Sequence, residues 1–217
     1  MTAPGVAALL LDLDGTLVDS EPIHREGFAA WYRSRGWEYT DEVSALFIGR
    51  RADDVFATVD GPWRGLDAQV LFAEAVAAMP ADRLPEPVPG AAELLDHAAS
   101  AGLPVALVTS ANLAWAEKVL APLGGLDRFA SLVTRDDVAD GKPHPEGYAS
   151  ACRLLGVDPA LALACEDAPN GVRAAVAAGV GTVVGITTSF GGRDLEDAGA
   201  HRTAPDLRGL PALLAHR

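Results

Sequence analysis

Two hydrophobic patterns divide this chain. Residues 6–11, Val-Ala-Ala-Leu-Leu-Leu, form an unbroken apolar run, as expected of a strand buried on both faces of a parallel sheet. Gly15 breaks the run with a turn. Helical periodicity then takes over, at Ile23–Tyr32 and Leu66–Met79, with shorter patches at Asp41–Phe47 and Ala52–Val59. No strand signal interrupts this stretch. Prolines at 85, 87 and 89 favour extended chain and read as a linker.

Beyond Gly90, strands and helices alternate. The pattern predicts a helix at Ala91–Ala101, a strand at Leu103–Thr109, a helix at Leu113–Leu123 and a short strand at Phe129–Thr134. It continues with a helix at Glu146–Leu155, a strand at Leu161–Cys165, a helix at Gly171–Ala178 and a strand at Val180–Ile186. Such alternation implies a parallel sheet. The expected fold class is therefore α/β: a Rossmann-like sheet with helices on both faces, formed by residues 1–16 and 87–217. Residues 17–86 form an inserted helical cap.

Polar residues gather where the strands end, which is where open α/β sheets hold their ligands. The first strand delivers Asp12 and Asp14, and the strand at Leu103 delivers Thr109, Ser110, Ala111 and Asn112. The strand at Leu161 delivers Glu166 and Asp167. Between them lies Gly141-Lys142-Pro143-His144-Pro145. Four carboxylates, an ammonium, a hydroxyl and a helix N-terminus are hard to balance without a cation. Mg²⁺ with a phosphoryl group balances them, because Mg²⁺ takes carboxylates together with substrate phosphate oxygens.

Composition narrows the partners. The 217 residues carry a formal charge of −13, which argues against nucleic acid and against an anionic membrane surface. No run reaches membrane-spanning length, and no signal peptide is expected because the first apolar stretch runs straight into the paired aspartates. Cys152 and Cys165 lack zinc or redox spacing and are expected as reduced, packed residues of a cytoplasmic protein. Of 17 basic residues only Lys118 and Lys142 are lysine, and a point-charge ammonium differs in use from a guanidinium. The expected partner is a small phosphorylated metabolite, bound by a monomer or weak oligomer.

The ordered segments Asp12-Leu13-Asp14-Gly15-Thr16-Leu17-Val18-Asp19-Ser20, Val108-Thr109-Ser110-Ala111-Asn112, Gly141-Lys142-Pro143 and Glu166-Asp167-Ala168-Pro169-Asn170-Gly171 closely resemble the haloacid dehalogenase superfamily. The likeness is to its phosphatase and phosphomutase branch and covers the whole chain. It implies Asp12 as a nucleophile forming an aspartyl-phosphate, and Asp14 as acid and then base, its carbonyl also meeting Mg²⁺. Asp167 would be a metal ligand, and Glu166 a ligand or a supporting neighbour. Ser110, or else Thr109, would meet the phosphoryl oxygens, and Lys142 would offset their charge. Ala168 replaces the family's common serine and removes a possible polar contact.

Aspartate at 14 fits turnover of a phosphate ester rather than dehalogenation. Residues 17–85 contain no lysine, so the cap lysine of β-phosphoglucomutases and the Schiff-base lysine of phosphonoacetaldehyde hydrolases have no counterpart. Phosphomonoester hydrolysis comes first. A β-phosphoglucomutase-like phosphomutase is second, since His24 in Asp19-Ser20-Glu21-Pro22-Ile23-His24 matches that subgroup. A phosphoacceptor signalling domain is the non-enzyme alternative. Arg50 and Arg51, beside Gly49, are candidates to grip a second group of the substrate. His144 is expected to pack structurally between its prolines, and the aromatics of residues 17–86 to form a small core.

Overall fold

The computed structural model describes residues 5–214. The outermost residues of the expected core, 1–4 and 215–217, lie outside that range. Six parallel strands form the central sheet: β1 (Ala8–Leu11), β4 (Val105–Val108), β5 (Ser131–Val133), β6 (Ala162–Glu166), β7 (Thr182–Ile186) and β8 (Arg202–Ala204), in the order β5-β4-β1-β6-β7-β8. From β1 the chain moves outward through β4 and β5, then returns past β1 to β6 and moves the other way. The direction of winding therefore switches at β1, and a crevice opens there at the carboxyl ends of the strands. Register brings those ends level: Leu11 lies opposite both Leu107 and Cys165.

Period-2 alternation feeds two cores. Leu9, Leu11, Leu107, Leu163 and Val184 face one side, against α5 (Ala91–Ser100) and α6 (Leu113–Leu120). Leu10, Ala106, Val108, Ala164 and Val183 face the other, against α7 (Glu146–Leu155) and α8 (Pro169–Ala177). This is the Rossmann-like arrangement expected from the run pattern. Both cysteines are free and buried within it. The α6 helix stops at Leu120 and tightens into a 3₁₀ turn over Ala121–Leu123, because Pro122 has no N–H to continue the helix.

Four helices, α1 (Glu21–Ser34), α2 (Asp41–Ala45), α3 (Ala52–Thr58) and α4 (Ala68–Ala77), lie between β1 and β4. They surround a separate core of Phe28, Trp31, Tyr32, Phe47, Val55, Phe56, Trp63, Leu71 and Ala75. Its aromatic rings meet mostly edge-on, 4.4–6.3 Å between centroids, the arrangement aromatic quadrupoles favour.

Three features differ from the sequence expectation. The two chain crossings between sheet and helices are a short antiparallel ribbon, β2 (Val18–Asp19) paired with β3 (Glu86–Pro87). Strands this short, with proline in one of them, leave no periodic signature. The sheet also gains β8 at its edge, followed by α10 (Pro211–Leu214), with α9 (Gly192–Asp197) before it. Arg202-Thr203-Ala204 is too short and polar to announce a strand. His144 is exposed, about 4.0 Å from Asp140 and Glu146, rather than packed. The ring sits in the loop before α7 beside two acidic side chains at the surface, where it is solvated rather than packed. No helix among the described residues is long and apolar enough to cross a membrane.

Candidate active site

β1 hands its chain to the crevice at Asp12, whose backbone N–H still donates to the Cys165 carbonyl (3.2 Å). The chain then turns tightly. Leu17 and Val18 N–H groups donate back to the Leu13 carbonyl, and Gly15 adopts φ +76°. Glycine is required there twice over: the backbone is left-handed, and a Cβ would lie 2.0 Å from the Asp167 carboxylate. This turn sends the side chains of Asp12 and Asp14 into different surroundings.

Asp12 points inward. Its Oδ1 accepts from Lys142 Nζ at 2.5 Å, and both side chains are under a tenth exposed. The same ammonium reaches Glu166 Oε1 at 2.6 Å and the Val108 carbonyl at 3.0 Å. All three N–H donors of Lys142 are thus engaged, tying the ends of β1, β4 and β6 together. Tyr148, in the first turn of α7, donates its hydroxyl to the same Glu166 Oε1. The other Glu166 oxygen rests on Gly171, where a Cβ would lie 1.9 Å away. The small residue lets the start of α8 approach the carboxylate.

Electrostatics follow from this crowding. Burial pushes the Asp12 carboxyl up to about 7, with Lys142 pulling it down and the Glu166 and Asp14 charges pushing it up. Burial pushes Asp167 well above the usual carboxylate range, reinforced by Asp12 and Glu166. Burial would pull the Lys142 ammonium down, but its two carboxylate partners outweigh that and hold it above its ordinary value. Asp12, Glu166 and Asp167 offer oxygen atoms within 4.8 Å of one another. Three buried carboxylates thus face one ammonium, and Glu166 Oε2 and Asp167 Oδ1 are buried without a hydrogen-bond partner. An all-oxygen, anionic donor set with unmet acceptors fits a hard divalent cation.

Asp14 faces the mouth of the crevice. Its Oδ1 accepts from Ser20 Oγ (2.6 Å) and from the indole N–H of Trp115 (2.9 Å), with His24 Nε2 3.9 Å away. Opposite lies the loop after β4. Thr109 Oγ1 accepts from the Ala111 N–H, and Asn112 caps α6 by accepting from the Trp115 backbone N–H. Ser110 Oγ is buried without a partner, which leaves it available to an anion. A cavity of about 470 Å³ opens in front of Asp12, Asp14, Asp167 and Ser110 and is lined on its far side by Phe28 of α1 and by Phe47 in the turn after α2.

The sequence-chosen residues of the sheet converge here; the two arginines do not behave alike. Arg51 donates to the carbonyls of Arg135 (2.6 Å) and Val138 (3.0 Å), across the gap between helices and sheet. Its two terminal nitrogens are engaged by backbone, while its Nε is buried without a partner. Arg50 lines the cavity and reaches only Thr58, at 3.5 Å. Beside them Asp53 pairs with Arg135 at 2.6 Å. Gly49 meets Ala168: a Cβ on Gly49 would lie 2.5 Å from the Ala168 methyl. The alanine in place of serine is therefore an apolar contact between the two parts of the molecule. Sequence reasoning missed Tyr148 and Trp115. Trp115 carried one signal, as the single tryptophan outside the helical stretch.

A family model described as haloacid dehalogenase-like hydrolase matches residues 6–179. The chain belongs to this family. Validoxylamine A 7'-phosphate phosphatase of Streptomyces hygroscopicus subsp. limoneus is 41% identical over 191 residues, 87% of this chain and 89% of that protein. Hexitol phosphatase A of Escherichia coli K12 is 35% identical over 172 residues, 78% of each. Among solved structures, a mutant of CbbY from Rhodobacter sphaeroides in complex with xylulose-(1,5)bisphosphate superposes with a TM-score of 0.80. It is 28% identical, covering 94% of this chain and 96% of that one. This haloacid dehalogenase-like hydrolase is of the phosphatase type, a phosphoric monoester hydrolase.

Proposed function

We propose that this hydrolase removes phosphate from a small sugar- or polyol-type phosphomonoester, with Mg²⁺ and through an aspartyl-phosphate on Asp12. The observation that carries the reading is the Asp12–Lys142 contact at 2.5 Å beside Glu166 and Asp167, with Asp14 two residues away at the cavity. The relatives named for validoxylamine A 7'-phosphate and for hexitols support a polyhydroxylated substrate. We place the enzyme in the cytoplasm, where such metabolites occur.

In the first step an Asp12 oxygen bonds to phosphorus as the ester P–O bond breaks. The leaving alkoxide takes a proton from Asp14. In the second step a water oxygen bonds to phosphorus, Asp14 receives the water's proton, and the P–O bond to Asp12 breaks. Lys142 holds Asp12 ionised and aimed, despite the burial that favours its neutral form. Ser110 and the N–H groups of the loop into α6 receive the non-bridging oxygens. Asp12, the Asp14 carbonyl and Asp167, with Glu166 as a further ligand or support, would hold Mg²⁺, which supplies charge stabilisation to the phosphoryl oxygens. The helices over the cavity act as a cap that opens on its ribbon to admit substrate and closes to exclude water.

The test is phosphate release from a panel of sugar and hexitol phosphates, with Mg²⁺ and with chelator. Metal-dependent multiple turnover is expected. Conversion of β-glucose 1-phosphate to glucose 6-phosphate without net phosphate release would instead show a mutase. A single phosphorylation by acetyl phosphate with no turnover would show a phosphoacceptor domain.

A further inference from the structure

Asp14 is held by Ser20 of its own motif and by Trp115, a residue outside every motif named above. Trp115 lies in the first turn of α6, three residues after the Asn112 cap that fixes that turn. Its indole N–H donates to Asp14 Oδ1 at 2.9 Å, and the Ser20 hydroxyl donates to the same oxygen at 2.6 Å. The indole is itself held in place. The His24 ring is 5.5 Å from it, and the Lys118 ammonium lies 5.9 Å from its centre while donating to the Ala81 carbonyl at 3.0 Å. Asp14, Ser20, His24, Trp115 and Lys118 all line the cavity.

An indole N–H can only donate. Both donors reach Oδ1, and neither is recorded at Oδ2. A carboxyl anchored this way by a donor-only indole has Oδ2 as the free oxygen to carry a proton. We propose that Trp115 is a positioning residue for the acid–base step: its N–H fixes the Asp14 carboxyl so that Oδ2 delivers the proton to the leaving oxygen. This rests on the phosphatase reading and adds to it a residue from α6.

The leaving group separates this role from a merely structural one. The ratio kcat/KM reports formation of the aspartyl-phosphate. An alkoxide needs a proton there, whereas p-nitrophenolate departs without one. With Mg²⁺ present, Trp115→Phe keeps a ring and removes the N–H. Its kcat/KM on sorbitol 6-phosphate is expected to fall about 10–100-fold, within the range of general acid catalysis. Its kcat/KM on p-nitrophenyl phosphate is expected to stay within about threefold, since no general acid is needed there. Replacement of Trp115 by benzothienylalanine, which keeps both rings and lacks the N–H, should reproduce the split if the phenylalanine variant folds poorly. An equal fall on both esters, or no fall on either, would overturn the assignment to Trp115. Where the panel shows another sugar or polyol phosphate turned over faster, that ester takes the place of sorbitol 6-phosphate; wild-type enzyme that releases phosphate from no ester of the panel would overturn the proposed phosphatase mechanism and the acid role of Asp14 with it.

Discussion

The ends of the sheet strands and the helices above them meet the same cavity but are organised differently. At the sheet, Asp12, Glu166, Asp167 and Lys142 are almost wholly buried, and each lies at or next to a strand end or in a loop anchored to one. Their positions follow from backbone register. In the helical part, Arg50 and Arg51 are adjacent in sequence, yet Arg51 reaches across to the sheet's loops while Arg50 lines the cavity and reaches Thr58 of its own layer. There the side chains answer to what packs against them. Chemistry that needs fixed distances is placed on strands. The layer above meets the sheet through contacts of both kinds, polar at Arg51 and Asp53 and apolar at Gly49.

The sharpest way to break that comparison is at the nucleophile. Asp12→Asn should lower turnover by about 10⁴-fold or more, the scale of a lost nucleophile, with an unchanged circular dichroism spectrum. Substantial residual hydrolysis would mean the strand end does not carry the chemistry. Next comes Lys142→Arg. The ammonium serves three acceptors at 2.5–3.0 Å in a niche only 6% exposed, and a planar guanidinium cannot reproduce that. A loss of about 10²–10³-fold in kcat is expected, comparable to loss of a charge-stabilising group; a near-normal rate would show that any cation suffices.

Metal removal tests the same cluster through stability. A cation among Asp12, Glu166 and Asp167 relieves their repulsion, so Mg²⁺ at about 100 times its Kd should raise Tm by about 5–10 °C. Asp167→Asn should shrink that rise in a thermal scan. On the helical side the effects should be smaller and of another kind. Arg51→Ala removes hydrogen bonds to the Arg135 and Val138 carbonyls, which should raise KM several-fold, about 1 kcal/mol of lost docking, with kcat reduced less. A kcat-only effect would move Arg51 into the chemistry.

The smallest expected effect is acid loosening of the Asp53–Arg135 pair. Burial would raise the Asp53 carboxyl, but the Arg135 guanidinium outweighs it and holds it below the usual range. A lowered carboxylate contributes stability above its unfolded value, about 3.9, and loses it as pH falls through the lower folded value. Asp53→Asn should therefore lower stability slightly at neutral pH and flatten the acid limb below about pH 4, the two proteins converging at low pH.

The sequence by itself determined the sheet, the run of helices after its first strand and which chemical groups, at Asp12, Asp14, Lys142 and Asp167, the strand ends and loops carry. Short apolar runs that alternate with amphipathic helices build a covered parallel sheet, and the polar residues that follow them emerge at its carboxyl edge. Only the tertiary structure decided that Trp115 serves Asp14, that Tyr148 serves Glu166, and that Arg51 holds the helices to the sheet's loops. Ala168 as a contact for Gly49 belongs with these. Arg51 and Gly49 meet their partners where the two cores rest on one another, and Trp115 and Tyr148 meet theirs where helices pack on the sheet. No local periodicity encodes that geometry.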